Sequence, residues 1–365
     1  MVAVNGIRPA RAPCGHEPAG RKRLLIINHC FLHPVLDTLT PTPTHDVAVD
    51  DPLAQAMRQV DMVIRERLSS QVVLIDQISN YIVTAGGKRI RPRLVLLFSE
   101  ALGFDGAERF ELAAIVEFIH TATLLHDDVV DESSLRRGRA TANAMFGNAA
   151  SVLVGDFLYS RAFQMMVAMN RMRVLDVLAD ATNVIAEGEV LQLMNMHDAD
   201  LAVADYLRVI RFKTAKLFEA SARLGAVLGG AGPALEECCA DFGRSLGTAF
   251  QLIDDLLDYE GNSEELGKNI GNDLREGKPT LPLLVAMQRA DEPDRVLIRQ
   301  AIQHGEVSRL PQIIELVRRT GALDATRQAA QLEADKARAA LVDMPESRAR
   351  GALLDLVKRA IHRSH

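Results

Sequence analysis

Aromatic residues are scarce in this sequence of 365 residues, and tryptophan is absent altogether. Aromatic residues make up 4% of the chain, whereas alanine and leucine are abundant. Strands are enriched in aromatic and β-branched residues, so this composition favours helices and makes an all-β fold a poor prediction. Apolar residues reach 48% and charged residues 25%, which excludes wholesale disorder and allows a sizeable core.

Cysteine is also rare, with four residues at positions 14, 30, 238 and 239. Two of them are adjacent and two lie near the beginning, so neither a disulfide framework nor a CxxC zinc site can be drawn. No apolar run approaches the ~20 residues that a bilayer-spanning helix needs, because charged or polar residues interrupt the most apolar stretches. The sequence therefore predicts a protein without transmembrane segments, located in a reducing compartment, the cytoplasm.

An excess of positive charge is missing too. Lysine and arginine total 42, and aspartate and glutamate total 48, which gives a formal net charge of −6. Proteins that bind nucleic acids usually carry a basic patch or stripe, so a nucleic-acid partner is not expected.

Residues 1–50 differ in composition from the rest of the chain. Basic residues outnumber acidic ones at their start, a short apolar patch covers Leu24–Leu32, and threonine and proline are concentrated at 38–44. A transit or signal segment has such a basic start, but Asn28-His29-Cys30 interrupts the patch and no small-residue cleavage site follows. We therefore predict a disordered N-terminal extension, or a start codon set too far upstream, followed by one domain over 51–365.

Apolar spacing from Asp51 onward is typical of helices almost without interruption. Pro52 suits the first turn of a helix that continues to Leu68, and two glycines followed by Pro92 predict a loop before a helix that ends near Gly103. Further periodic segments lie at 108–133, 141–170, 174–197, 204–229, 234–259 and 279–290, with weaker ones up to 362. No alternating strand pattern competes with them, so the sequence predicts one large all-α domain.

Two clusters of aspartates are the sharpest feature of the sequence. They share the spacing DDxxD and comprise Asp127, Asp128 and Asp131, and then Asp254, Asp255 and Asp258. On a helix, the first and last members of each cluster lie one turn apart on the same face. Like charges near 4 Å repel by about 4 kcal/mol at an effective dielectric of 20, so each cluster needs a compensating cation.

Hard oxygen ligands of this kind suit Mg²⁺, which prefers to share its coordination shell with substrate phosphates. One such cluster could equally be a solvated acidic face, since short motifs match by chance. Two clusters with largely apolar residues before them, at 121–125 and 248–253, favour carboxylates that line a cavity. The pattern therefore predicts a site for a metal ion and a diphosphate.

A diphosphate requires cations beyond the metal ion. Candidate basic residues occur in three places. Lys88, Arg89, Arg91 and Arg93 follow two glycines, Arg136 and Arg137 follow the first aspartate cluster, and Lys213 and Lys268 lie farther along the chain. Arginine binds phosphate oxygens bidentately and lysine supplies a movable charge, although each of these residues alone is more often a solvated surface cation. The segment lacks the GxxxxGK[ST] pattern, so nucleotide hydrolysis is not indicated.

Glu117 and His120 allow more than one interpretation. His120 lies seven residues before Asp127, two turns away on the same helix face, where it could contact the same ligand or be an ordinary core histidine. The ExxH pair also suggests a carboxylate-bridged di-iron site, but that site requires a second ExxH, which the helical region lacks. Glu189 and Gln192 receive no role beyond lining or packing.

Several segments together resemble the trans-isoprenyl diphosphate synthases. They are GGKRIRP at 86–92, HDDVVDE at 126–132, RRG at 136–138, KT at 213–214, and FQLIDDLLD at 250–258 followed by GKNIGNDLREGKPTLP at 267–282. The chain is most similar to the bacterial octaprenyl diphosphate synthases, over about residues 52–365. This resemblance implies an all-helical homodimer of the isoprenoid synthase type, in which each subunit surrounds one deep cavity with the two aspartate helices facing each other at its mouth.

The resemblance also implies residue roles. Two or three Mg²⁺ ions would be held by Asp127, Asp131, Asp254 and Asp258, with Asp128 and Asp255 in support. The catalytic group would comprise Asp127, Asp128, Asp131, Lys213, Asp254 and Asp255. The positions that match the allylic diphosphate site are Arg136, Lys213, Thr214, Gln251 and Lys268. Those that match the isopentenyl diphosphate site are Lys88, Arg91, His120 and Arg137.

An enzyme of this kind would add isopentenyl diphosphate units to farnesyl diphosphate and supply a quinone side chain. An octaprenyl product is the first expectation, with heptaprenyl, nonaprenyl and decaprenyl products as alternatives. A terpene cyclase also uses DDxxD, but its second acidic motif usually contains Asn and Ser or Thr. A non-catalytic prenyl-binding partner subunit is the main alternative that is not an enzyme, although none of the motif positions is eroded here.

The side chains just before the first aspartates would line the cavity that holds the growing product, so their size bears on product length. Short-chain farnesyl synthases place bulky aromatic residues four or five positions before the first aspartate, where this chain has Thr123 and Ala122. Small side chains there would leave a tunnel open, which implies a long product. Met166 and Leu178 are candidates for the floor of that tunnel, although ordinary core packing explains them equally well.

Overall fold

The structure, a computed structural model, describes residues 51–84, 86–136, 138–260 and 271–363. It confirms the predicted all-α fold, because nearly every described residue outside the loops lies in a helix. The extension predicted for residues 1–50, and the roles predicted for Arg137 and Lys268, fall outside the described residues.

The first half of the described chain folds into helices and one short antiparallel hairpin. The elements are α1 (Pro52–Leu68), α2 (Val73–Thr84), α3 (Ile90–Ala101), α4 (Glu108–Val130), β1 (Leu135–Arg136), β2 (Arg139–Ala140), α5 (Ala142–Phe146), α6 (Asn148–Ala168) and α7 (Met172–Asn195). The start of α1 follows its sequence signals, since Asp51 accepts a hydrogen bond from the Leu53 backbone N–H and Pro52 fills the first turn.

The second half consists of helices and the loops that connect them, over its described residues. Its elements are α8 (Val203–Ile210), a π-helical segment (Arg211–Ala215), α9 (Lys216–Leu228), α10 (Pro233–Glu260), α11 (Asn272–Arg275), α12 (Leu281–Arg289), α13 (Glu292–His304), α14 (Leu310–Arg319), α15 (Ala322–Ala339) and α16 (Arg348–Ile361).

Two of the long helices expected from the sequence are interrupted. Gly147 adopts φ +86° and separates α5 from α6 within the segment predicted at 141–170. The segment predicted at 204–229 contains the π-helical turn, which adds a residue to one turn without changing the apolar pattern. The hairpin around Gly138, at φ +72°, and helix α2 were not expected from the sequence.

Helices α4 and α10 occupy the centre of the fold. In α4, buried residues occur on every side of the helix between Leu112 and Leu125, as expected for a helix enclosed by others. In α10, Gly243 allows close packing against α9, since a Cβ atom there would lie 2.4 Å from the Phe218 carbonyl oxygen. Both helices therefore hold their C-terminal ends, which carry the aspartate clusters, in fixed positions.

Among the described residues, no helix is long and apolar enough to cross a membrane. Cys238 and Cys239 are both free thiols, the first exposed and the second buried. Burial raises the pKa of the Cys239 thiol to about 12. The cytoplasmic location stays a prediction.

Candidate active site

The first aspartate cluster lies at the C-terminal end of α4. A helix C-terminus disfavours negative charge, so these side chains need partners. Asp128 is buried and receives three hydrogen bonds from the Arg136 guanidinium, at 2.8, 3.0 and 3.2 Å. Burial still raises the pKa of Asp128, against the lowering effect of Arg136. Asp127 and Asp131 keep 16% and 13% of their side chains exposed, and these two carboxylates remain accessible beside the buried pair.

The short hairpin explains how Arg136 reaches Asp128. Strand β1 carries Arg136 back toward the end of α4, and Asn143 donates hydrogen bonds to the Asp128 and Ser133 carbonyl oxygens. The Arg136 side chain, predicted to bind the allylic diphosphate, is therefore held by a carboxylate of the first cluster in this structure.

Lys213 lies between the first cluster and helix α7. Its Nζ atom is 2.5 Å from a Glu189 oxygen and 3.8 Å from an Asp127 oxygen. Burial and the Asp127 charge raise the pKa of Glu189 to about 7, although Lys213 acts in the opposite direction. Glu189 received no role from the sequence, and its contact with Lys213 makes it part of the candidate site.

The π-helical segment directs neighbouring side chains toward the two different clusters. Lys213 approaches Asp127 of the first cluster, whereas Thr214 donates a 3.0 Å hydrogen bond to Gln251, which donates a 2.7 Å hydrogen bond to Asp255 of the second. π-Helical turns are frequent at functional sites because the extra residue redirects side chains. The structure thus brings both aspartate clusters to one short segment of chain.

The second cluster occupies the last two turns of α10. Asp255 is buried and accepts a 2.5 Å hydrogen bond from the Tyr206 hydroxyl. Burial raises the pKa of Asp255 to about 7, despite the lowering effect of the hydrogen bonds from Tyr206 and Gln251. Asp254 is 48% exposed and lies 3.2 Å from a guanidinium nitrogen of Arg363. Asp258 accepts hydrogen bonds from the backbone N–H groups at the start of α11, at 3.0 and 3.2 Å.

Lys278 connects the two clusters across the site. Its Nζ atom donates a 2.9 Å hydrogen bond to Asp131 and lies 2.6 Å from Glu276. The Lys278 backbone N–H donates to the Asp273 carbonyl oxygen at 2.7 Å, and the Asp273 N–H in turn donates to the Asp258 carboxylate at 3.0 Å. The charges of Asp131 and Glu276 raise the pKa of Lys278 despite burial. Lys278 therefore stays protonated and holds the first cluster beside the second.

Three cations surround a pair of aromatic rings next to the clusters. The Phe218 and Phe250 ring centroids are 5.5 Å apart. The Arg91 guanidinium lies 4.4 Å from the Phe218 centroid, and Lys88 Nζ and the Arg363 guanidinium lie 5.9 and 3.8 Å from the Phe250 centroid. We call these five residues the cationic platform. It is suited to an anionic group, because it presents several positive charges at one place.

His120 and Glu117 each contact an arginine at the start of α3. His120 Nε2 is 3.0 Å from an Arg91 nitrogen, and Glu117 is 3.0 Å from Arg89. Arg89, at φ +48°, directly precedes α3, and Arg91 lies in its first turn, so both arginines contact α4. These contacts favour an anion site at Arg91 and His120 over the di-iron interpretation.

The residues predicted to control product length lie below the first cluster. Ala122, Met166 and Leu178 are buried in the core shared by α4, α6 and α7, and Thr123 donates a hydrogen bond to the His120 carbonyl oxygen. Their roles stay predictions.

An open groove of about 770 Å³ runs along the surface of α6 and is lined by Asp156, Tyr159, Ser160, Phe163, Gln164 and Val167. It adjoins the first cluster at Tyr159, where burial and the charges of Asp127 and Glu189 raise the pKa to about 12.

The accessible carboxylates suit a hard divalent cation. Asp127, Asp131 and Asp254 offer only oxygen ligands, which Mg²⁺ and Ca²⁺ prefer. Over residues 51–363, apart from the gaps given above, no three Asp, Glu, His or Cys side chains converge closely enough to form a protein-only metal cage. This arrangement fits an ion that binds one or two carboxylates and takes its remaining ligands from water and substrate phosphates.

Comparison with known sequences decides the family. The family described as polyprenyl synthetase matches residues 72–317. The chain belongs to the polyprenyl synthetase family. It is accordingly a prenyltransferase, and the resemblance stated from the sequence motifs is confirmed.

Individual members of the polyprenyl synthetase family are similar over most of the chain. Octaprenyl diphosphate synthase of Escherichia coli (strain K12) is 54% identical over 316 residues, which are 86% of this chain and 98% of that protein. All-trans-nonaprenyl-diphosphate synthase (geranyl-diphosphate specific) of Rhodobacter capsulatus is 47% identical, with 86% and 96% covered. The crystal structure of polyprenyl synthase from Caulobacter crescentus CB15, complexed with calcium and isoprenyl diphosphate, superposes with a TM-score of 0.83 at 47% identity, with 86% and 96% covered.

Sequence reasoning missed several residues that the structure places at this polyprenyl synthetase site. They are Tyr206, Glu189, Lys278 and Arg363. The last two lie far along the chain from the carboxylates they contact, since Lys278 and Asp131 are 147 residues apart. Position within the GKPTLP segment was the one available signal for Lys278. No sequence signal distinguished Arg363 from other surface arginines.

The raised pKa of Glu189 predicts a specific pH dependence of stability. The ordinary value is 4.5 and the folded value is about 7, so the folded state binds the proton more tightly between these values and stability falls as the pH rises. Relative to Glu189→Gln, the unfolding free energy of the wild type should decrease by about 1–3 kcal/mol between about pH 5 and 7 and then level off. Chemical denaturation at a series of pH values, with EDTA present to remove divalent metal ions, measures this unfolding free energy.

Glu187→Gln is the matched control, because Glu187 is exposed on the same helix. Because this variant leaves Glu189 and Lys213 in place, it should keep the fall in unfolding free energy between about pH 5 and 7. Parallel stability curves for the wild type and Glu189→Gln would show that the Glu189 carboxyl is not perturbed.

Proposed function

We propose that this chain is a long-chain trans-polyprenyl diphosphate synthase that elongates farnesyl diphosphate with isopentenyl diphosphate. The observation that carries the proposal is the placement of two neighbouring residues, Lys213 and Thr214. Lys213 lies 3.8 Å from Asp127 of the first cluster, and Thr214 is linked to Asp255 of the second through Gln251. The cationic platform adjoins the second cluster, since its Arg363 pairs with Asp254. Two neighbouring anion sites of this kind suit two diphosphate substrates whose reacting carbons must meet.

The allylic diphosphate binds at the clusters. Mg²⁺ held by Asp127, Asp131 and Asp254 supplies positive charge that offsets the negative charge on the departing diphosphate. Lys213 and Lys278, already placed among these carboxylates, add charge-assisted hydrogen bonds to the same leaving group. The allylic carbon–oxygen bond then breaks, and both bonding electrons leave with the diphosphate. No protein nucleophile is needed.

Isopentenyl diphosphate binds at the cationic platform, where Lys88, Arg91 and His120 hold its diphosphate. Its double bond attacks the allylic cation to form the new carbon–carbon bond. A proton then leaves the adjacent carbon and is taken up by the released diphosphate, which restores the double bond. Apolar residues below the clusters, among them Ala122 and Leu125, keep water from the cation.

An octaprenyl product is the length that we propose. The named product of the Escherichia coli relative supports it, and heptaprenyl, nonaprenyl and decaprenyl products are the alternatives. The small residues Ala122 and Thr123 agree with any of these long products. The chain would supply the side chain of a quinone.

Loss of an accessible carboxylate should remove activity while the fold remains. Asp127→Ala and Asp254→Ala are each expected to lower kcat by about 100-fold to 1000-fold or more, because charge developing on the leaving group loses its stabilisation. Purified protein is incubated with farnesyl diphosphate, isopentenyl diphosphate and Mg²⁺, and the extracted lipids are quantified and sized by chromatography.

Glu260→Ala provides the matched control for the aspartate variants. Glu260 is an exposed acid on the same helix as Asp254, and its partner is the exposed Arg327. This variant should elongate chains at the rate of the wild type. An unchanged rate in Asp127→Ala or Asp254→Ala would refute the assignment of the clusters.

Product length should respond to the side chain at position 122. Ala122→Phe places a bulky ring on the wall below Asp127 and is expected to shorten the product, as sized in the same assay. Ala113→Phe is the control, since Ala113 is equally buried but lies nine residues away, on the opposite face of α4. Both variants overpack the core, at a cost of about 1–3 kcal/mol. Full-length chains from Ala122→Phe would contradict this account of length control.

We also propose that the protein forms a homodimer through α6 and α7. Helix α6 carries only Asp156 and Arg161 as charged residues over 21 positions, yet Leu153 and Val167 on it are 66% and 65% exposed. A helix that is apolar on all sides is normally enclosed, so this face favours a second copy of the chain.

Substitution on that face tests the homodimer. Leu153→Asp should shift the protein from dimer to monomer in analytical ultracentrifugation, because a charge would be buried in the interface. Leu332→Asp on α15 is the control, since Leu332 is 64% exposed and lies on neither helix. A monomeric wild-type protein, or a dimer that survives Leu153→Asp, would contradict the proposal.

A further inference from the structure

Tyr206 makes a buried polar contact that the reaction described above does not use. Its side chain is 4% exposed, and its hydroxyl donates a 2.5 Å hydrogen bond to Asp255 Oδ2. Helix α8, which carries Tyr206, contributes no other residue to the candidate site. Leaving a buried carboxylate oxygen without its donor is costly, so this bond constrains the end of α10.

The contact is one end of a continuous hydrogen-bonded chain. Gln251 Nε2 donates to Asp255 Oδ1 at 2.7 Å, and Gln251 Oε1 accepts from Thr214 Oγ1 at 3.0 Å. Asp255 fixes the orientation of the Gln251 amide, because a flipped amide would turn its oxygen toward the carboxylate oxygen and lose that bond. Tyr206 and Thr214 are eight residues apart on one continuous helical stretch, and they are joined through the same two residues of α10.

The π-helical segment follows Tyr206 in the chain and contains Thr214. An extra residue in one turn weakens helical geometry, and such turns persist where surrounding packing holds them. Close packing is visible on both sides. A Cβ atom at Gly188 of α7 would lie 2.6 Å from the Lys213 backbone nitrogen, and one at Gly247 of α10 would lie 2.7 Å from Ala215 Cα. The neighbouring helices therefore confine the backbone of the π-helical segment. The hydrogen bonds that run from Tyr206 through Asp255 and Gln251 to Thr214 fix the position of this segment along α10.

We infer that Tyr206 is a positioning residue for the allylic diphosphate site: through Asp255 and Gln251 it holds Thr214, and with it Lys213, in the orientation that binds the diphosphate. The inference rests on the proposed function. Tyr206 packs in a different hydrophobic cluster from Phe218 and Phe250 of the platform, so we expect its effect to be confined to one of the two substrates.

Tyr206→Phe removes only the hydroxyl and tests the inference. The KM for farnesyl diphosphate should rise about tenfold, which corresponds to loss of one hydrogen bond to a charged group, while the KM for isopentenyl diphosphate stays within twofold of the wild type. Equilibrium binding of farnesyl thiodiphosphate, an unreactive analogue, should weaken by the same factor. Equal changes in both KM values, or unchanged binding of the analogue, would overturn the inference.

Tyr259→Phe is the matched control. Tyr259 is fully buried on α10, and its hydroxyl lies near Thr280, whereas the hydrogen bonds to Asp255 come from Tyr206 and Gln251. This variant should leave both KM values within twofold of the wild type. A selective rise in the farnesyl diphosphate KM with Tyr259→Phe, equal to that of Tyr206→Phe, would show that general packing of α10 is responsible.

A second pair of variants keeps the inference testable if Tyr206→Phe fails to fold. Thr214→Val removes the donor at the other end of the chain and should raise the same KM selectively, whereas Thr214→Ser should restore it. If the double variant Tyr206→Phe with Thr214→Val folds, its KM for farnesyl diphosphate should rise by less than the product of the two single increases. The reason is that both substitutions interrupt the same series of hydrogen bonds. If the two substitutions raised this KM independently, or if Thr214→Ser did not restore it, the inference about Tyr206 would be overturned. Failure of the wild type to elongate any chain would refute the proposed function instead, and binding of the analogue would still decide the role of Tyr206.

Discussion

Concentrated negative charge at the C-terminal ends of two helices is the constraint on which the rest of the site depends. Asp127 and Asp128 lie in the last turn of α4, and the second cluster lies in the last two turns of α10. Helix C-termini already carry partial negative charge, so each acidic side chain there is disfavoured by about 0.3–1 kcal/mol, and mutual repulsion adds to that cost. The fold therefore has to supply cations or hydrogen-bond donors at both ends before any substrate arrives.

Those compensating groups come from parts of the chain that are far apart. The charge pairs are Asp128 with Arg136, Asp127 with Lys213, Asp131 with Lys278 and Asp254 with Arg363. They belong to the hairpin, the π-helical segment, the loop before α12 and the C-terminal residues. Asp255 differs from these four, since its buried carboxyl accepts hydrogen bonds from the neutral side chains of Tyr206 and Gln251. Asp258 accepts two hydrogen bonds from backbone N–H groups. The site is therefore complete only when the whole helical body is folded.

Sequence periodicity could predict the helices and the motif positions, because both depend on local spacing. The DDxxD spacing required Asp127 and Asp131 to share a helix face, and α4 has that geometry. Periodicity could not predict the π-helical turn, since one extra residue alters the register of the following side chains without altering the apolar pattern. It also could not predict the pairing of Asp131 with Lys278, which depends on how distant helices pack.

The charged end and the apolar wall of the proposed site lie on one helix, α4. This arrangement bears on how product length can differ among members of the family. On α4, the accessible Asp127 follows the buried Ala122 by five residues and the buried Leu125 by two. The rise of about 1.5 Å per residue fixes the distance between the charged end and the wall. A side chain on the wall can therefore change in size without disturbing the ion pairs at the end of the helix. Relatives at 54% and 47% identity bear the names of octaprenyl and nonaprenyl synthases. Because the apolar wall and the charged end occupy different positions on α4, product length could change among relatives while the ionisation chemistry stays the same.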